Sequence, residues 1–116
     1  MDADRAFAAR AASAGPGAAF TEFIAVDGLT LGSAAMACGR EPIRAAFAGS
    51  SPGDLLWAPR LGYIAGSGDL GFTVGVADLR TESGPAKSKY LTIWRRQRDG
   101  TWRFVADGGN AAPPDA

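Results

Sequence analysis

From residue 55 to residue 107 the sequence alternates large side chains with small or polar ones, in runs separated by short turn signals. No other feature constrains the fold as much. Leu70, Phe72, Val74 and Val76 alternate with Gly71, Thr73, Gly75 and Ala77, the period-two spacing of a half-buried strand. Strands are expected over residues 55–65, 70–79, 90–97 and 102–107. Gly66-Ser67-Gly68-Asp69 separates the first two and Asp99-Gly100 the last two, with a polar loop over residues 81–86. Asp-Gly between two alternating runs is a strong hairpin signal, because both central turn positions favour positive φ.

Upstream the pattern changes. Residues 2–13 are alanine-rich with Phe7 as the one large apolar side chain, which predicts a helix docked by that face. Gly15-Pro16-Gly17 breaks it, and proline suits a first helical turn. A second helix then carries Phe20, Phe23 and Ile24 on one face and ends at Gly28. Leu29-Thr30-Leu31 reads as a short strand, and residues 32–39 are ambiguous. A third helix over residues 40–48 has Pro42 in its first turn and Ile43 and Phe47 at i, i+4 spacing. Helices followed by a meander of strands predict an α+β domain with a curved antiparallel sheet. The domain is expected over residues 1–110, with the tail fraying from Gly108 and residues 111–116 disordered.

If Asp99-Gly100 is a two-residue turn, Trp94 opposes Val105 and Thr92 opposes Asp107. A three-residue turn with a bulge shifts this register by one. With Ser67-Gly68 as the other turn, Tyr63 opposes Phe72, which places Leu61 and Trp57 on the bulky side as well. That bulky face is expected beneath the helices. The opposite face carries Leu91, Ile93, Trp102 and Phe104, too apolar to leave in water. A sheet-to-sheet homodimer through those four residues is therefore expected.

Composition removes several kinds of chemistry. The chain has 12 basic and 12 acidic residues, a formal net charge of zero and no histidine. Histidine-based triads, most zinc sites and imidazole acid–base chemistry are excluded. One cysteine, Cys38, excludes an internal disulfide and reads as an inert small hydrophobe. Arg95, Arg96, Arg98 and Arg103 form a local group interrupted by Asp99, the solvated tip of a hairpin, so no nucleic-acid partner is expected. No apolar run reaches the roughly 20 residues a bilayer requires, so no membrane partner is expected either. The start lacks the basic and apolar segments of a signal peptide. A cytoplasmic protein is expected, or a periplasmic one if a leader was removed ahead of Met1.

Asp107 is the leading titratable candidate. Beside Thr92 and facing an apolar side, its carboxyl would be desolvated and its pKa raised, which suits a general acid or base. The alternative is a solvated strand end capping the Gly108-Gly109 turn. Asp107 and Thr92 are thus the candidate catalytic residues, and no cofactor or metal is expected. The candidate ligand pocket comprises Phe7, Phe20, Phe23, Trp57 and Tyr63, together with Phe72, Val74, Tyr90, Trp94 and Val105. Each of these has a plain core-packing alternative. Asp27 reads as structural.

Several motifs in order carry a resemblance: Gly39-Arg40-Glu41-Pro42-Ile43-Arg44 opening the third helix, Asp69-Leu70-Gly71-Phe72-Thr73, residues 90–96, and Asp99-Gly100-Thr101-Trp102. Together they resemble the SnoaL-like group of the nuclear-transport-factor-2-like superfamily, over nearly the whole chain. The resemblance implies a cone-shaped, cystatin-like α+β fold, a deep pocket between helices and sheet, and frequent homodimers. The superfamily includes steroid isomerases, dehydratases, polyketide cyclases and epoxide hydrolases beside members without catalysis, so fold fixes little about function. Carried over from ketosteroid isomerase, the base falls near Leu31 or Gly32, the oxyanion-hole acid at Thr92 and its tyrosine at Phe7. That mechanism is not expected here. Three functions remain: a binding module for a small apolar organic molecule, a lyase, isomerase or cyclase using Asp107, or a dimerisation domain with a vestigial pocket.

Overall fold

Alanine propensity and one buried face build the first helix. α1 (Asp2–Ala14) buries Asp4, Phe7 and Ala11, which the 3.6-residue period places on one side. Gly15 turns the chain with a φ of 96°, open to glycine at little cost. Pro16 starts α2 (Pro16–Phe23), which buries Ala19 and Phe20. The structure, a computed structural model, describes residues 1–32 and 35–116. Ser33 and Ala34, within the segment the sequence leaves ambiguous, lie outside the described residues.

The second helix stops earlier than its periodicity predicts. β1 (Ile24–Leu31) begins where a helix was expected to continue to Gly28. Ile24 and Val26 are β-branched and fit a strand better than a helix. A Cβ at Gly28 would lie 2.5 Å from Ile24 Cγ1 and 2.8 Å from the Phe104 carbonyl, so the irregularity in β1 there requires glycine. β2 (Met36–Cys38) pairs back on β1, and α3 (Arg40–Ala46) follows.

The remaining strands are β3 (Leu55–Ile64), β4 (Leu70–Thr81), β5 (Gly84–Arg96) and β6 (Trp102–Ala112). The six form one curved sheet in the order β2-β1-β6-β5-β4-β3. The α+β reading holds, with one difference: the sheet is mixed, because β1 runs parallel to β6. Besides β1, which starts early, and β4, which runs two residues further, β5 and β6 are much longer than expected. β5 starts inside the predicted loop, and β6 passes Asp107 to pair Ala111 with Ser88 and Ala112 with Lys87. The chain expected to fray from Gly108 is held by a strand ladder as far as Ala112.

The helices seal one end of the sheet with aromatic rings. Phe7 lies with its ring centroid 4.7 Å from both Phe20 and Trp57 and 5.4 Å from Phe104. Phe7, Phe104, Ile24 and Ile43 are buried almost without exposure. Burying such a side chain is worth about 1.5–3 kcal/mol, and this cluster fixes the helices to the sheet.

Two irregularities decide which face each residue meets. The hairpin turn is the three-residue form: Gln97 N–H donates to Thr101 O and Gly100 has a φ of 89°. Trp94 therefore opposes Phe104 rather than Val105, and Arg96 opposes Trp102. Val105 is then the extra residue of a bulge that restores the expected pairing of Thr92 with Asp107. Phe104 and Trp102, expected on the outer face, consequently point inward; Phe104 is fully buried and Trp102 packs against the core. A second irregularity between Pro59 and Leu61 puts Trp57 inside while Leu61 and Tyr63 face out.

The bulky side of β4 also lies opposite to expectation. Gly71, Thr73, Gly75 and Ala77 face inward, whereas Phe72 and Val74 lie on the outer face. The reason is volume. Gly71 sits directly opposite Trp94, Gly75 opposite Tyr90, and Ala77 opposite Trp57. A Cβ at Gly75 would lie 2.7 Å from Tyr90 Oη and 2.8 Å from its ring carbon Cε2. The backbone of β3 comes as close: a Cβ at Gly71 would lie 2.4 Å from the Tyr63 carbonyl oxygen and one at Gly75 2.4 Å from that of Ala58, so rings and backbone together keep β4 small there.

Candidate functional site

Between α3, β1–β2 and the outer parts of β5 and β6, the sheet and helices leave an open cavity of about 1020 Å³. Its walls are mostly apolar: Phe20 and Phe47 from the helical side, Leu55 and Trp57 from β3, Met36 from β2. Asp107, Thr92 and Tyr90 supply the polar side chains nearest the aromatic seal. Of the expected pocket residues, Phe20, Trp57 and Tyr90 line the cavity. Phe7, Phe23 and Trp94 belong to the aromatic seal instead. Tyr63, Phe72 and Val74 lie on the far side of the sheet, where Tyr63 and Phe72 stack at 5.6 Å. Val105 is absorbed in the bulge and lines no cavity. These four are displaced by the two irregularities and the inversion of β4.

Thr92 Oγ donates to Asp107 Oδ1 at 2.7 Å. Among the described residues no protein group bonds to Asp107 Oδ2, so that oxygen is available to the cavity. The side chain is closely surrounded yet partly accessible through the opening. Its pKa is pushed up to about 6, by burial first and by the negative charge of Asp4 last, with the Thr92 hydrogen bond acting against them. Cavity position and a carboxyl titrating near neutrality coincide at one residue.

Asp4 is the residue sequence reasoning missed. It is fully buried and accepts two hydrogen bonds, from Trp57 Nε1 at 2.7 Å and from Tyr90 Oη at 2.9 Å. The Tyr90 hydroxyl proton is thereby committed to Asp4. Burial and the two nearby carboxylates push the Tyr90 pKa far up, so it stays a neutral phenol. The signal was in the sequence: Asp4 precedes Phe7 by three residues and shares its buried helical face. Asp4 ties α1 to β3 and β5 and braces the cavity wall.

Other candidates resolve structurally. Asp27 forms a two-point ion pair with Arg95, at 2.6 and 3.0 Å. Arg103 donates to the Glu22 carbonyl, so the basic group is partly spent on surface contacts. Cys38 is exposed on the short strand β2. Among the described residues no helix is long and apolar enough to cross a membrane.

No family model and no curated protein matches the chain. Solved structures match over nearly its full length. A ketosteroid isomerase-like protein from Erwinia carotovora atroseptica SCRI1043 superimposes with a TM-score of 0.80 at 16% identity, covering 97% of this chain and 93% of the other. An NTF-2 like protein of unknown function from Shewanella oneidensis MR-1 gives 0.72 at 15% identity, covering 93% and 96%. The chain has the nuclear-transport-factor-2-like, or cystatin-like, fold. A computationally designed 17-OHP binder shares that fold, with a TM-score of 0.71 at 12% identity over 97% of this chain and 90% of the other. Likeness at such identities speaks for the fold and leaves the chemistry of this nuclear-transport-factor-2-like cavity to its own residues.

Proposed function

We propose that this protein binds a small, largely apolar organic molecule in the cavity, with Asp107 as its principal polar contact. The observation that carries the reading is an open space of about 1020 Å³, walled by aromatic and aliphatic groups, with the free Oδ2 of Asp107 available to it. Ligand pockets are commonly of this size and lined this way. The designed 17-OHP binder indicates that the same fold accommodates such a ligand. So large a space speaks against a vestigial pocket filled by its own side chains. The order of motifs favours placing the chain with the SnoaL-like group.

The test is titration with Nile red, a neutral apolar fluorophore, on the wild-type protein and on Ala46→Trp. Ala46 lines the cavity from α3 and is exposed, so the larger ring fills the space without disturbing the core. Saturable binding that weakens about tenfold or more in the variant, with Tm unchanged, supports the reading. Equal binding in both proteins overturns it.

A second reading, a lyase, isomerase or cyclase with Asp107 as acid–base, draws support from the carboxyl titrating near neutrality. It expects Asp107→Asn to abolish turnover while the fold is kept.

Homodimerisation belongs to the same proposal, through a revised face. Leu61, Tyr63 and Leu91 are 59%, 60% and 45% exposed beside Phe72, Val74 and Ile93. An apolar sheet face of this kind favours a covering partner, and a two-fold copy is the simplest one.

A further inference from the structure

The inference rests on the binding reading above and names the class of ligand. Near the aromatic seal, the hydrogen-bond donors of the cavity wall are already spent on carboxylates. Trp57 Nε1 and Tyr90 Oη donate to Asp4, and Thr92 Oγ donates to Asp107. What remains toward the cavity is acceptor capacity: Asp107 Oδ2 and the lone pairs of Tyr90 Oη. Thr30 stands in register with Asp107 on the neighbouring strand, and its hydroxyl can accept as well as donate.

Among the described residues lining this cavity, no unpaired cation offsets these carboxylates. The one basic side chain among them is Lys87, and it is tied to Asp78 at 2.6 Å. Ser88 and Asn110 bring donors, but Ser88 lies four positions along β5 from Thr92, about 13 Å at strand spacing. The cavity is therefore polarised, with acceptors and negative charge at its sealed end and donors toward the far end of β5. The rings of Phe20, Phe47 and Trp57 line the same space, and the faces of aromatic rings attract cations.

We propose that the ligand is an apolar amine whose protonated nitrogen seats against Asp107. A carboxylate ligand meets two like charges at that end, with the Thr30 hydroxyl as the one uncommitted donor beside them. A ketone or ester meets acceptor facing acceptor at Asp107. An ammonium supplies several donors to these acceptors, and forms a charge-assisted bond to Asp107 Oδ2.

The experiment is calorimetric titration of the intact protein at about pH 7.5, where an alkylamine is protonated, with three matched probes: 2-(1-naphthyl)ethylamine, 2-(1-naphthyl)ethanol and 1-naphthylacetate. The amine is expected to bind about tenfold or more tighter than the carboxylate, and measurably tighter than the alcohol, the worth of one charge-assisted contact. In Asp107→Asn the preference for the amine collapses while the alcohol still binds. The wild-type ranking decides the matter even if that variant folds poorly. Equal affinities, or a preference for the carboxylate, overturn the amine assignment and leave the binding cavity standing. Failure of all three probes to bind overturns both.

Discussion

Asp107 and Asp4 are neighbouring carboxylates with different surroundings. Asp107 has one hydrogen bond, from Thr92, and a pKa raised to about 6. An aspartate in an unfolded chain titrates near its ordinary value of about 3.9. A raised carboxyl stabilises the fold fully below the unfolded value, and that contribution is lost as pH rises through 6. Asp107→Asn, which keeps an acceptor for Thr92, is thus expected to match wild type near pH 4. Above about pH 7 it should be more stable by up to about 3 kcal/mol. Urea unfolding at the two pH values checks this, and equal stability differences at both contradict it. Asp4 differs in its bonding, since two donors depend on it. Asp4→Ala leaves Trp57 Nε1 and Tyr90 Oη without their partner and is expected to cost about 2–4 kcal/mol, measured by the same unfolding curves.

At the level of elements, small residues opposite large ones set the inner layer of the sheet. Gly75→Ala forces a methyl against the Ala58 carbonyl oxygen and against Tyr90 Oη and Cε2. It should displace that ring from Asp4 and cost about 1–3 kcal/mol, as overpacking does. Loss of the Tyr90 contact would appear as a shifted Trp57 Nε1 proton resonance, because both groups bond Asp4. An unshifted resonance with unchanged stability contradicts the account. The same layer explains how much the sequence disclosed. Alternation identified β3 to β6, because period two and turn residues are local signals; the expected pairing of Thr92 with Asp107 holds only because the bulge at Val105 offsets the longer turn. Alternation could not say which side of β4 faces inward, since that depends on rings contributed by β3 and β5. The bulge at Val105 carries no local mark, and Pro59 marks an edge strand or bulge without fixing its register, so alternation alone puts Phe104, Trp102 and Tyr63 on the wrong faces. Ile24 followed helical spacing from Phe20 but pairs with Phe104 in the sheet, a tertiary contact overriding a local pattern.

For the whole molecule, the sheet separates two apolar regions with different fates. The inner side is sealed by Phe7 and its ring neighbours at one end and left open as the cavity at the other. The outer side exposes Leu61, Tyr63 and Leu91. If that face is covered by a second copy, a paired Leu91→Lys and Ile93→Glu change should yield monomer in sedimentation velocity without unfolding the chain. A wild-type protein already monomeric at high concentration contradicts the dimer. Asp107 joins residue and molecule, because the burial that raises its pKa comes from the same walls that line the cavity.

The most direct measurement is a carbon-13 NMR titration of the Asp107 carboxyl, with and without 2-(1-naphthyl)ethanol. The account predicts a midpoint near 6 in the free protein that moves when the probe is bound, because the probe contacts that carboxyl and replaces its water. A midpoint near 4, the ordinary aspartate value, unmoved by the probe, would contradict an enclosed Asp107 facing a ligand cavity.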